Sequence, residues 1–186
     1  MGNHAQGRGV TVRMEAPTRY LFGPLSAFGL AIAAIVGVAD QASKFWLLKV
    51  YGLADKGMVK VAPFVDLVLT WNTGISYGWF AQEGPFGQGT LLVFKALAVA
   101  LLWIWLARAT SRLSALALGL IIGGAFGNGI DRLTYGAVVD FVLLHAETAT
   151  WRFNWYVFNL ADVAIVAGVV GLLYDSVWGE GAPKAP

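Results

Sequence analysis

Two acidic residues stand where acids are costly. Asp140 sits in the apolar, strand-like run Gly136-Ala137-Val138-Val139-Asp140-Phe141, and Asp162 follows Phe158-Asn159-Leu160-Ala161 about one turn into a long hydrophobic segment. A carboxylate at the edge of hydrocarbon needs compensation, so an acid placed there is a functional candidate by default. Two carboxyls that share a site cannot both ionise cheaply, and one keeps its proton while the other stays charged. The charged group can then activate water while its partner polarises a carbonyl and later protonates a leaving amine. That is peptide hydrolysis without metal or covalent intermediate. The same residues also have a plain structural explanation. Asn159 and Asp162 are spaced as N-cap and N3 of a capping arrangement, and Asp140 could be a solvated strand acid.

Other polar groups cluster in the sequence at similar boundaries. In Gly127-Asn128-Gly129-Ile130-Asp131-Arg132, Asn128 and Arg132 are four residues apart and would project from one helix face. A guanidinium there offers a rigid fork of donors for backbone carbonyls or a lipid phosphate. Alternatively, Asp131 and Arg132 simply terminate the helix. Asn72 could hydrogen-bond an extended substrate backbone, or form an Asx turn with Gly74. Gly74 to Gly78 also spells Gly-x-Ser-x-Gly around Ser76, the pattern of a serine-hydrolase elbow. That motif needs a histidine partner, and the chain holds only His4 and His145. In a chain with 23 Gly the pattern is expected by chance. With no cysteine and no His-x-x-x-His spacing, neither a metal site nor a cofactor is expected.

The elements that must position these groups follow from composition. The 186 residues are 58% hydrophobic and 13% charged, which marks a membrane protein of one domain. A formal charge of +2 without a basic stripe argues against nucleic-acid binding. Eight Trp suit interfacial anchoring. Four apolar stretches are expected to span: Leu21 to Val38, Thr90 to Ala107, Ser114 to Ile130, and Asn159 to Trp178. The first is too long for a cleaved signal core. Pro85 and the glycines near it are breakers, and Ser111 or Ser114 can cap the third span. Val59, Val61, Val65, Leu67 and Leu69 alternate as in a half-buried strand, and strand-like alternation returns between Asp131 and Tyr156. The predicted fold is an all-α membrane protein of four transmembrane helices, with a small extramembrane β-sheet on the outer face. A tail over 1–20, a domain over 21–178 and a tail over 179–186 complete it. Arg8, Arg13, Arg19, Arg108 and Arg112 place both termini in the cytoplasm. Asp40, Asn72, Asp131, Arg132, Asp140 and Asp162 then all gather toward the outer face. Asp40 and Lys44, four apart, share a helix face.

Taken together, Asp40-Gln41-Ala42-Ser43-Lys44, Asn72-Thr73-Gly74, Gly127-Asn128 with Asp131-Arg132, Val138-Val139-Asp140-Phe141 and Phe158-Asn159-Leu160-Ala161-Asp162 resemble the lipoprotein signal peptidases (signal peptidase II). The five blocks run in order from the first span to the last. The resemblance implies an aspartic endopeptidase of the bacterial cytoplasmic (inner) membrane, working without cofactor. It implies removal of the signal peptide from diacylglyceryl-modified prolipoproteins, just before the lipidated cysteine. By the same resemblance Asp140 and Asp162 are the catalytic pair, and Asn72, Asn128, Arg132 and Asn159 line the substrate site. Asp40, Lys44 and Asp131 support them. Its partners would be the lipidated substrate, membrane lipids and globomycin-like inhibitors, with the protein a monomer. The aromatic loop at Trp79-Phe80 is expected to be mobile and to cover the site. Two rival readings are a proton-coupled carrier, since intramembrane acids also mark relays, and a serine hydrolase using Ser76. A carrier would place acids in mid-span or show inverted repeats, and neither is found in the sequence.

Overall fold

The computed structural model describes residues 21–74, 85–148 and 150–179. The tail over 1–20, the Ser76 motif, the Trp79-Phe80 loop and the chain beyond Gly179 lie outside the described residues. Helix α1 (Ser26–Phe45) runs directly into a π-helical turn, Trp46–Val50, followed by the short α2 (Leu53–Lys56). Strands β1 (Val59–Ala62) and β2 (Val65–Asn72) come next. Helices α3 (Pro85–Ala107) and α4 (Arg112–Tyr135) lead to β3 (Val138–Glu147), β4 (Arg152–Phe158) and α5 (Leu160–Trp178).

Among the described residues three helical segments are long and apolar enough to cross a membrane: Ser26–Val50, Arg112–Tyr135 and Leu160–Trp178. α3 adds an apolar stretch over Ala96–Ala107. The outward residues of α5 are apolar: Val163, Val166, Val170, Leu173 and Val177 are all exposed. A surface that apolar fits lipid and would aggregate in water.

The ends of α3 at Ala107 and of α5 at Trp178 fall where hydropathy expects them, and the other boundaries differ for identifiable reasons. α1 does not stop at Val38, because Asp40 and Lys44 turn inward and neutralise each other. α3 begins at Pro85, which hydropathy had marked as a breaker; proline is well placed at the first helical position, where its missing N–H is no loss. α4 does not end at Ile130. It continues through Asp131 and Arg132 to Tyr135, where Gly136 takes the left-handed conformation (φ +73°) and donates its N–H to the Arg132 carbonyl. At its other end Ser111 is the N-cap, its Oγ accepting from the amides of Leu113 and Ser114. The Ser111 and Ser114 hydroxyls both donate to buried Asp175, which ties the start of α4 to the end of α5.

The four strands form one antiparallel sheet in the order β1-β2-β3-β4. β2 and β3 flank the α3–α4 pair in sequence, so their pairing closes that helical excursion. It also sets Thr70 opposite Asp140 and Asn72 opposite Val138. Alternation failed at Val61: the register shifts between Lys60 and Ala62, and the bulge leaves Val61 60% exposed. It failed again on β4, where Arg152 to Tyr156 are all exposed.

α4 is the central helix, with 56% of its apolar stretch buried against 22% for α1 and for α5. Small residues allow the close approach. A Cβ on Gly124 would come within 2.5 Å of the Ala161 carbonyl oxygen, and one on Gly127 within 2.5 Å of Asp40 Oδ2. The second approach matters most, because it admits a buried ion cluster. Lys44 Nζ lies 2.8 Å from Asp40 Oδ2 and 2.6 Å from Asp131 Oδ2, and all three residues are essentially inaccessible. Asp40 Oδ1 accepts the Ala161 amide of α5 (3.1 Å), and Asp131 Oδ2 accepts the Val139 amide of β3 (3.0 Å). One cation and two anions thus join α1, α4, α5 and the sheet. Removing the cation leaves two buried carboxylates without their partner, and breaking such pairs costs about 3–5 kcal/mol. Lys44→Met should therefore lower the thermal midpoint in detergent sharply, and adding Asp40→Asn should restore part of the loss. An unchanged midpoint in the single variant would contradict this role.

Candidate active site

The site lies where the sheet meets the C-terminal end of α4 and the N-terminal end of α5. Asn159 has extended backbone angles (φ −127°, ψ −177°) and caps α5, its Oδ1 accepting the Asp162 amide at 3.0 Å. Asp162 Oδ2 in return accepts the Asn159 amide at 3.1 Å, which completes the capping box. The capping explanation is therefore correct as far as it goes. It leaves Asp162 Oδ1 free of the helix, and that oxygen accepts Asn128 Nδ2 at 2.9 Å.

Asp140 reaches the same place from β3. Its Oδ1 accepts Asn159 Nδ2 at 2.7 Å, and its Oδ2 accepts Asn72 Nδ2 at 3.1 Å. It is a buried strand acid, not a solvated one. Asn159 Nδ2 also lies 3.0 Å from Asn128 Oδ1 and 3.2 Å from the Val139 carbonyl oxygen. Asn128 Oδ1 in turn accepts Lys44 Nζ at 3.1 Å, which links the site to the ion cluster beneath it. Asn159 thus touches both acids, and every carboxylate oxygen of the pair is held by a neutral N–H.

The electrostatics follow from this arrangement. Burial pushes the Asp140 carboxyl up to about 6, and the nearby Asp162 charge adds to the rise. The hydrogen bonds from Asn72 and Asn159 and the charge of Lys44 pull the other way without cancelling it. Asp140 is the acid that desolvation favours as the proton holder.

Of the two readings of Asn72, the Asx turn is the one present. Its Oδ1 accepts the Gly74 amide at 3.2 Å, the Asx turn, while its Nδ2 serves Asp140. Arg132, one helical turn after Asn128, donates from Nη2 to the Gly74 carbonyl at 3.4 Å. Its buried Nε and Nη1 have no partner among the described residues. Arg132 does not terminate the helix; it aims a half-free guanidinium beside the acids. All nine residues singled out in the sequence (Asp40, Lys44, Asn72, Asn128, Asp131, Arg132, Asp140, Asn159 and Asp162) fall in one connected network.

Two features escaped sequence reasoning. The Val139 backbone joins the network through both its amide and its carbonyl, which no side-chain pattern announces. Gln41 donates to Asp131 Oδ1 at 2.8 Å; it lies three residues before Lys44 on the same helix, but that spacing does not name its partner on α4. His145 sits on β3 beside Asp66, 3.2 Å away, in a separate polar pair.

Comparison with known proteins bears on most of the chain. Residues 32–178 match the family model described as Signal peptidase (SPase) II. A lipoprotein signal peptidase of Rhodopseudomonas palustris (strain TIE-1) is 62% identical over 158 residues, 85% of this chain and 96% of the relative. Its counterpart in Nitrobacter hamburgensis is 60% identical over 158 residues, with the same coverage of 85% and 96%. The Methylorubrum extorquens (strain PA1) protein is 51% identical over 164 residues, 87% of this chain and 92% of the relative. Two solved structures, both described as a bacterial membrane enzyme determined by the in meso method, superpose with TM-scores of 0.61 and 0.62. Each is 23% identical and covers 86% of this chain, with 94% and 97% of the solved chains covered, so the likeness speaks for the fold. The fold, the membrane helices and the sequence agree, and the chain belongs to the signal peptidase II family.

Proposed function

We propose that this membrane peptidase is an aspartic endopeptidase that removes the signal peptide of diacylglyceryl-modified prolipoproteins, cutting just before the lipidated cysteine. The observation that carries the reading is the pair Asp140 and Asp162, bound through one asparagine, with the Asp140 carboxyl pushed up to about 6. In this reading the pair holds one proton, on Asp140. Asp162, ionised at the N-terminus of α5, takes a proton from water as the oxygen attacks the scissile carbonyl carbon. Asp140 gives its proton to the carbonyl oxygen, forming a neutral tetrahedral diol. Collapse breaks the C–N bond as the proton gained by Asp162 passes to the departing amine and Asp140 recovers its own from the diol.

The substrate class follows from the names of the relatives, which are lipoprotein signal peptidases. Arg132 suits this role: Nε and Nη1 can donate to substrate carbonyls without first breaking a described bond. A substrate tethered by its own signal helix and acyl chains is positioned in the membrane before chemistry begins. On this reading 21–178 is one four-span domain in the bacterial inner membrane, α3 being the fourth span. The basic tail and the Arg108–Arg112 turn lie in the cytoplasm, and the sheet and the acids face outward. A monomer suffices, since both acids come from one chain, and globomycin-like cyclic peptides are expected to compete for the site.

Asp140→Asn and Asp162→Asn should each lower cleavage of a diacylated precursor by about a thousandfold or more while the protein stays folded. Substantial turnover in either variant would end the dyad reading. The pH dependence has a definite sign. Protonated Asp140 is the active form, so kcat/KM should fall as pH rises through about 6, approaching about tenfold per pH unit beyond it. A flat profile from pH 5 to 8 would contradict it. Stability changes in the same direction. The folded value lies above the ordinary 3.8, so the contribution of protonated Asp140 is complete below that pH and lost as pH rises through about 6.

A further inference from the structure

Gln41 takes no part in the chemistry above, yet its contacts are specific. Its Nε2 lies 2.8 Å from Asp131 Oδ1, 3.0 Å from the Gly127 carbonyl oxygen and 3.3 Å from Asp40 Oδ2. An amide nitrogen has two hydrogens for these three acceptors, and the shortest contact is to Asp131. The other Asp131 oxygen, Oδ2, is already engaged by Lys44 Nζ and by the Val139 amide. Among the described residues Gln41 is the donor that holds Oδ1. We infer that Gln41 is a positioning residue for the peptidase reaction: it fixes the rotation of the Asp131 carboxylate, and through the Val139 amide the placement of Asp140.

The geometry behind this is simple. A carboxylate gripped at one oxygen can pivot about that contact; gripped at both, it cannot. Asp131 Oδ2 acts on the backbone one residue before Asp140, and the Val139 carbonyl is held from the other side by Asn159. Val139 itself is fully buried, so its peptide groups have no water to turn to. A pivot of Asp131 therefore shifts the peptide that carries Asp140 relative to Asp162. Displacements of this kind far from the reacting atoms lower turnover by up to about a hundredfold.

Packing is a poor alternative explanation for a polar residue here. Gln41 is half-buried at the rim of an apolar cavity of about 580 Å³ between α1, α3 and α4, with Gly37, Val38, Trp103 and Phe126 among its walls. An apolar side chain of equal length fits that rim, so the donor can be removed without overpacking.

The inference rests on the dyad reading, and the test separates the two. Gln41→Met keeps length and removes the donor; Gln41→Lys restores an N–H donor in reach of Asp131. On a diacylated precursor Gln41→Met should lose about tenfold in kcat with KM within about twofold, and amide exchange at Val139 should quicken about tenfold. Gln41→Lys should recover kcat to within about threefold of the parent protein. Unchanged kcat in Gln41→Met would overturn the role, as would equal losses in both variants or unchanged exchange at Val139. Asp140→Asn judges the dyad separately. Turnover in that variant defeats the dyad whatever Gln41 does, whereas a dead Asp140→Asn beside a fully active Gln41→Met defeats only the positioning role.

Discussion

A buried ammonium between two buried carboxylates is the constraint on which the rest of this molecule depends. Lys44, Asp40 and Asp131 are each costly to remove from water, and together they are tolerable only if every remaining lone pair finds a donor. Those donors come from elsewhere: the Ala161 amide at the start of α5, the Val139 amide at the start of β3, and the Gln41 amide on α1. The ion cluster can be satisfied only when two helices, a helix N-terminus and a strand converge. The same convergence delivers Asp140 on the strand and Asp162 on the helix. Electrostatics at the base of the site and geometry at its top are one requirement.

Asparagine around the acids suits the proposed chemistry. A lysine or arginine bonded directly to Asp140 would hold it ionised. Amide donors from Asn72, Asn159 and Asn128 orient the carboxylates without adding charge, so burial can keep Asp140 well above the ordinary carboxyl range. Lys44 is close enough to draw the value down, but its charge is already claimed by Asp40 and Asp131. The cluster thus neutralises its own cation and leaves the acids to a nearly neutral, hydrogen-bonded shell. Arg132 stands beside this shell, with its buried Nε and Nη1 unpartnered among the described residues.

Local features of this arrangement were legible in the sequence. The Asn159–Asp162 capping spacing and the Asp40–Lys44 pair lie within one helical turn, and both appear as expected. Contacts between distant segments were not legible from spacing. Asn72 and Asp140 are 68 residues apart; topology put both toward one membrane face, and the resemblance placed them in one site. Hydropathy ended α1 and α4 too early because a charge looks like an interface until its partner is known. Asp131 belongs to the interior because Lys44 waits there. The bulge that exposes Val61 leaves no trace in a pattern of alternating apolar residues. Gln41 shares a helix face with Lys44, yet helical spacing says nothing of Asp131, its partner 90 residues away.

The central claim is that two acids share one proton at the point where strand and helix meet. Carbon-13 spectra of the aspartate carboxyls, recorded across pH on the ligand-free protein in a bilayer mimetic, address it directly. One carboxyl is expected to titrate near pH 6, well above the ordinary range, and its signal should vanish in the Asp140→Asn variant. Spectra in which the Asp140 and Asp162 carboxyls both remain ionised down to about pH 4 would contradict the account.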